Sequence, residues 1–312
     1  MEHFGQNNAE SGIPKKIYFQ WLGTAGRIQQ QNEQMNQRCV ELQSKLTSSG
    51  LKSSILKGQG VAAFYGELKD FRQPGDIDVY VDCGREKAIE CARSIGQEEV
   101  NWDYKHLHLK EFKDTEVEMH YRPEVLLNLV KNKKLQRWFA ADEIQKLIFQ
   151  QNGGLITPSV EFNLFYILLH IYRHFLYEGV GLRQLMDYYF VLKSDNGQDN
   201  KKMSLESIKA LGMSRFAKGV MWIMQSVFGL EEKYMLYEPD EKEGRYILSQ
   251  IMIGGNFGFH DERLKTNRDQ GKFGAVRKIL KHNLHLLTHY PSEIFWGPIW
   301  IGYHWCWKIV VR

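Results

Sequence analysis

The stretch "RQPGDIDVYVD", residues 72–82, decides how the rest of the chain is read. Ile77, Val79 and Val81 alternate with Asp76, Asp78, Tyr80 and Asp82. That period of two predicts a β-strand over 76–82 with one apolar face turned to a core. Residues i and i+2 of a strand project to the same side, so Asp76 and Asp78 stand together. Two carboxylates held side by side repel each other unless a cation offsets their charge. Alone, such a pair is an ordinary exposed strand face, and its neighbours must give it meaning. Asp82 continues the acidic face but lies about 13 Å from Asp76 at strand rise, too far to share an ion.

Upstream, "ILKGQG" (residues 55–60) places Gly58 and Gly60 between a short strand, "SSILKG", and a short helix, "GVAAFYGEL". Glycine there lets backbone N–H groups approach a ligand closely, and an adjoining helix N-terminus favours anions. Lys57 lies in the same turn. Downstream, "YKHLHLKEF" (104–112) and "TEVEMHYR" (115–122) alternate around "KDT" and predict a hairpin. Glu118 faces opposite to Val117 and Met119 and offers a third carboxylate. Three carboxylates beside a phosphate-cradling turn suit Mg²⁺, or Mn²⁺, which take hard oxygen ligands and share them with substrate phosphates.

A glycine turn, a D-x-D strand and a later acidic strand, in that order, resemble the nucleotidyltransferase superfamily that includes DNA polymerase beta and kanamycin nucleotidyltransferase. The text "ILKGQGVAAFYGELKDFRQPGDIDVYV…VEMHYRP" is similar, more closely still, to a group of bacterial nucleotidyltransferase family proteins. Those combine an L-K-G turn, an Arg before D-I-D and an acidic-x-His element. The resemblance covers roughly residues 40–125 well. It implies that Asp76 and Asp78 bind metal bridging a nucleoside triphosphate. Glu118 would hold metal on the side of the attacking hydroxyl and help deprotonate it. Lys57, Gly58, Gln59 and Arg72 would serve the nucleotide. The superfamily usually places Ser after the turn glycine, where this chain has Gln59, so either Gln59 or Lys57 would take over the phosphate contact.

The remainder sets the frame. The chain has 312 residues, a formal charge of +4, 43% hydrophobic and 25% charged residues. Such a composition builds a core, and so small a charge excess does not argue for nucleic acid. Cys39, Cys83, Cys91 and Cys306 are scattered, without zinc spacing, which suits a reducing compartment and a cytoplasmic location. There is no signal-peptide pattern, and no uninterrupted apolar run predicts a membrane span. Residues 1–13 read as loose. Residues 28–50 read as a helix, as does "REKAIECARSIG" (85–96). After about residue 122 helical periodicity dominates and strand signals nearly vanish. "SDNGQDNKK" (194–202) reads as a polar loop. The expected fold is therefore α+β: a small mixed β-sheet with helices over residues 1–150, then a mostly α-helical domain over 151–312.

Other groups carry both an ordinary and a functional reading. His106, His108 and His120 suit a hairpin surface, although His120 shares a face with Glu118. Arg173, Arg183 and Asp187 stand in apolar helices, as ion pairs or as cleft lining. His170 and His174 share a helix face but lack the zinc-protease pattern. The run from Lys265 to Lys281 suits a solvated face or an anionic partner. The tail "IFWGPIWIGYHWCWKIVV" reads as a buried aromatic segment in preference to an interfacial anchor. The expected activity is transfer of an NMP group from an NTP to the hydroxyl of a small-molecule or protein acceptor. The rival readings are an inactive nucleotide-binding module, for which Gln59 is the best support, and a helical half that binds another protein.

Overall fold

A computed structural model describes residues 13–195, 198–254 and 286–311. The expected loose N-terminus, but for Ile13, and the basic run from Lys265 to Lys281 lie outside the described residues.

The first helix, α1 (Lys15–Ser48), begins well before Ile28. Its second half buries Met35, Cys39, Leu42 and Leu46, a stripe at helical spacing. Its first half leaves Ile17, Phe19 and Trp21 exposed. Without a buried face that half carries no amphipathic pattern, which is why periodicity alone begins the helix late. Gly50, at φ +77°, ends it.

Five strands follow: β1 (Ser53–Ile55), β2 (Ile77–Val81), β3 (Asn101–Trp102), β4 (His106–Phe112) and β5 (Thr115–His120). Their order in the sheet is β1-β2-β5-β4-β3. β1 pairs antiparallel with β2, and β4 antiparallel with both β3 and β5, but β2 and β5 run parallel. The sheet is therefore mixed, as expected. α1 and α3 (Arg85–Ser94) share a core with one face, in which Cys39, Leu42, Ala88, Val79 and Val117 are buried. Between β1 and β2 lie a short helix, α2 (Lys57–Ala62), and a 3-10 segment (Ala63–Phe71).

A hairpin that the periodicity does not reveal follows α4 (Leu129–Phe139) and α5 (Asp142–Ile148). Its strands are β6 (Gln150–Asn152) and β7 (Leu155–Thr157), joined by Gly153 and Gly154, both at positive φ. So strand structure persists past residue 122. Gln43 of α1 ties the hairpin down, donating to Ile156 O at 2.9 Å and accepting from Ile156 N at 3.0 Å.

The helical part centres on α6 (Val160–Tyr177), buried on nearly all sides, with Ser159 capping Phe162 N. Each fully buried Leu or Phe there contributes about 1.5–3 kcal/mol. α7 (Leu182–Ser194), α8 (Gln198–Ala210), α9 (Ser214–Ser226) and α10 (Glu241–Gly254) add to the same core, which also takes in Leu56, Val61 and Tyr80 from the first part. α8 starts at Gln198, inside the stretch expected to be loop. The last helix, α11 (Pro291–Val311), buries Trp300 and rests its aromatic rings on Tyr104 and Trp102. Its other side exposes Phe295, Trp305, Ile309 and Val310, so the tail is only half buried. Among the described residues, no helix is long and apolar enough to cross a membrane.

Candidate active site

Asp76 immediately precedes β2, Asp78 is that strand's second residue, and Glu118 is the fourth residue of β5. The parallel register sets Asp78 directly opposite Glu118. One oxygen from each of Asp76, Asp78 and Glu118 lies within 4.8 Å of the other two. Ile77, Val79, Val117 and Met119 anchor the same strands in the opposite face, so the carboxylates are held by buried apolar neighbours. The structure thus brings together all three acidic residues singled out in the sequence.

The glycine turn sits against them. Gly58 has φ +39°, and a Cβ there would lie 3.6 Å from the Asp76 carbonyl oxygen. At Gly60 a Cβ would fall 2.1 Å from the Ile55 carbonyl oxygen, a contact no side chain tolerates. Lys57 itself adopts φ +34°, a conformation that strains a non-glycine residue by roughly 1–3 kcal/mol. The turn aims Lys57 Nζ at Asp78 Oδ1, 2.8 Å away. His120 Nε2 reaches the same Oδ1 at 2.8 Å and Glu118 Oε2 at 3.2 Å.

Charge in this cluster is unevenly compensated. Burial works against the Asp78 carboxylate, but Lys57 and His120 outweigh it and hold it well below the usual range. Glu118 is likewise drawn down to about 2, burial being overcome chiefly by the His120 hydrogen bond. Burial also opposes the Lys57 ammonium, yet Asp78 and its neighbours keep it above its ordinary value. Asp76 differs. It is exposed at the edge of the site, and the adjacent Asp78 charge, followed by desolvation, raises its proton affinity. A carboxylate made uncomfortable by its neighbour, in an all-oxygen set of three, is what a hard divalent cation relieves. The donor set fits Mg²⁺ or Mn²⁺.

The site opens into a cavity of about 250 Å³ between the sheet and the helices α6 and α7. Lys57, Gly58 and the three carboxylates line one wall, and His170, Arg173 and Arg183 line the other. Arg72 also lines it, but its guanidinium is bidentate to Asp187, with Nε to Oδ1 at 2.7 Å and Nη2 to Oδ2 at 2.9 Å. Tyr65 donates to the same Oδ1 at 2.6 Å. Arg72 therefore joins the sheet side to α7 and is not a free phosphate ligand. Gln59 is turned away altogether. Its Nε2 donates to Asn36 Oδ1 of α1 at 2.7 Å, and it does not line the cavity.

Lys105 escapes a reading of the sequence, whereas Arg173 and Arg183, read there as ion pairs or cleft lining, both line the cavity. Lys105 and Arg173 flank Glu124, which is fully buried, at 3.6 and 3.3 Å, and His170 Nδ1 lies 3.1 Å from it. Arg173 further pairs with Glu178 at 2.6 Å. These charges hold each other inside the cavity wall. Arg183 is different. It lies across Gly75, next to Asp76, and forms no ion pair among the described residues. Among the described residues its hydrogen bond is a long one, 3.5 Å, to the Pro74 carbonyl. The sequence marks it as an ion-pair member or cleft lining in an apolar helix, and it lines the cavity.

A family profile described as an uncharacterised nucleotidyltransferase matches residues 1–229. The match takes in the sheet, the glycine turn, all three carboxylates and the helices as far as α9. A search of curated proteins found no match. The chain belongs to this uncharacterised nucleotidyltransferase family.

Proposed function

We propose that this nucleotidyltransferase family member uses Mg²⁺ or Mn²⁺ to move an NMP group from an NTP to a hydroxyl acceptor. The observation that carries the reading is the convergence of Asp76, Asp78 and Glu118 within 4.8 Å on neighbouring parallel strands. When bound, divalent cations supply positive charge to the phosphoryl oxygens and to the attacking and leaving oxygens. The chain's own residues do the rest. Asp76 and Asp78 hold the nucleotide side, and Glu118 faces the acceptor hydroxyl and draws off its proton. Lys57 fixes Asp78 and presents its ammonium to the phosphates at the Gly58 turn. His120 keeps Asp78 and Glu118 in register. Arg183, without a carboxylate partner among the described residues, meets phosphate from the opposite wall. Gln59 and Arg72 act indirectly, by holding the turn to α1 and the approach to β2 against α7. Positioning and charge suffice for this reaction, and no covalent nucleophile is needed.

The acceptor, a small molecule or a protein side chain, enters between the sheet part and the helical part, which we divide near residue 150. The four unpaired thiols suit the cytoplasm. The experiment is incubation with labelled NTPs and a divalent cation, followed by pyrophosphate release and label transfer to candidate acceptors. Release that vanishes in Asp76→Asn and Asp78→Asn supports the assignment, and activity that survives both sinks it. Tight binding of the NTP without turnover favours the inactive-module reading, to which the turned-away Gln59 lends support.

A further inference from the structure

We infer that a second, nitrogen-rich cation site for a Zn²⁺-class ion lies beside the carboxylate cluster, built from Asp103, His106 and His108 with a fourth position open to solvent or substrate. The sheet register creates it. His106 and His108 are successive outward residues of β4, and they pair across the strand with His120 and Glu118 of β5. All four therefore share one face. Asp103 closes the side, since its Oδ1 accepts from the backbone N–H groups of Lys105 and His106 at 2.7 and 2.9 Å. Its Oδ2 is left to face His106.

The decisive atom is His106 Nε2. It lies 3.2 Å from His108 Nε2, 3.5 Å from Glu118 Oε1 and 3.6 Å from Asp103 Oδ2. A neutral imidazole nitrogen carries one hydrogen at most, so it can satisfy only one of these three electron-rich neighbours. A cation taken up between His106, His108 and Asp103 satisfies those three donor atoms together. Two ligands about 2.0–2.1 Å from a tetrahedral Zn²⁺ stand about 3.3 Å apart, close to the 3.2 Å between the two Nε2 atoms. Asp103, His106 and His108 each offer a donor atom within 4.8 Å of the other two.

The ligand class separates this site from its neighbour. Imidazole nitrogen suits Zn²⁺ and related first-row ions, whereas Mg²⁺ prefers the all-oxygen set of Asp76 and Asp78. Glu118 has an oxygen toward each side, Oε1 to His106 and Oε2 to His120. An ion held by the histidines lies beside the carboxylate that the carboxylate cluster uses. The inference goes beyond the proposed transfer reaction and does not need it to be true.

The test uses the full chain with Asp76→Asn and Asp78→Asn combined, stripped with a chelator and titrated with Co²⁺ as a coloured stand-in for Zn²⁺. The expected result is one equivalent bound with the intense visible absorption of a tetrahedral Co²⁺ site, not displaced by excess Mg²⁺. His108→Ala, at a half-exposed position, weakens binding at least tenfold with an unchanged melting temperature in the absence of metal. The inference is overturned by absence of the tetrahedral absorption, by equal binding in His108→Ala, or by displacement with Mg²⁺. None of these outcomes depends on NTP turnover, so the two readings fail separately.

Discussion

His120 Nε2 stands 2.8 Å from Asp78 Oδ1 in a fully buried setting, and the same nitrogen lies 3.2 Å from Glu118 Oε2. That nitrogen, with one hydrogen at most, thus stands between two carboxylates of different strands, its shorter contact being to Asp78. Groups that orient metal ligands typically change affinity or activity by about 10–100-fold when lost. His120→Asn is expected to lower kcat by about that factor and to raise the divalent concentration needed for half activity. A purely structural role would lower stability and leave the divalent requirement unmoved. A divalent titration of activity in the variant distinguishes the two.

Asp76 is crowded by Asp78 and lacks the close Lys57 and His120 contacts that Asp78 enjoys. In the absence of divalent cation, Asp76→Asn therefore removes a repulsion and is expected to leave the melting temperature unchanged or higher. Added Mg²⁺ should raise the melting temperature of the parent chain through binding to the native state alone. That increment should disappear in Asp76→Asn and Asp78→Asn. A Mg²⁺-dependent rise that persists in both variants would place the ion elsewhere.

The Arg72–Asp187 pair crosses the cavity, joining the segment before β2 to α7, and both side chains are buried. Removing one partner of a buried pair leaves an uncompensated charge, at a cost of about 3–5 kcal/mol. Asp187→Ala should show this in urea unfolding, because Arg72 then loses both hydrogen bonds. Arg72→Lys should lose a substantial part of it too, since an ammonium cannot match the two-pronged contact. A double-mutant cycle that returned no coupling would remove the pair from the account of how the two walls are held.

How much of this was legible in the sequence follows from range. The alternation around Asp76 and Asp78, and again around Glu118, is local, so the strands and their outward carboxylates could be read directly. The pairing of β2 with β5 is not local: alternation offers Glu118 as a third carboxylate, and the resemblance to known nucleotidyltransferases gives it a role beside the aspartates, but neither sets the register that brings them together. Side-chain direction was less accessible still. Gln59 stands one residue from Gly58 yet points into α1, because Asn36 lies there to receive its amide. Arg72 found Asp187, over a hundred residues away, in place of Glu67 or Asp70 nearby. The β6–β7 hairpin was missed because its strands are three residues long, although Asn152-Gly153-Gly154 carried a turn signal.

Glu124 gives the fold a defined acid sensitivity. Burial disfavours its charge, but Lys105, Arg173 and His170 outweigh burial and hold its carboxyl well below the usual range. A depressed folded pKa contributes stability above the unfolded value, about 4.3 for Glu, and that contribution is lost as pH falls toward the folded value. Unfolding free energy should therefore drop on acidification below about pH 5. Glu124→Gln should unfold more easily at neutral pH and show a shallower loss in acid. Urea titrations across that window in both proteins measure the difference, and equal acid slopes would contradict the assignment.

Arg183 is where the two halves of the site meet. Lys57, Arg72, Lys105 and Arg173 also line the cavity, and each is held by a carboxylate. Arg183 lines it without an ion pair among the described residues, its guanidinium against Gly75 and so beside Asp76. Its donors remain open to an oxyanion, and a guanidinium grips phosphate through two parallel hydrogen bonds. Arg183→Ala is therefore expected to raise the KM for NTP about tenfold, equivalent to about 1.4 kcal/mol of binding. It should weaken pyrophosphate binding by a similar factor. Arg183→Lys should recover part of the loss, because it keeps the charge and loses the fork. Isothermal titration with pyrophosphate, beside steady-state kinetics, tests both arms. If KM for the acceptor rises while pyrophosphate binding stays the same, Arg183 serves the acceptor and the triphosphate assignment is wrong.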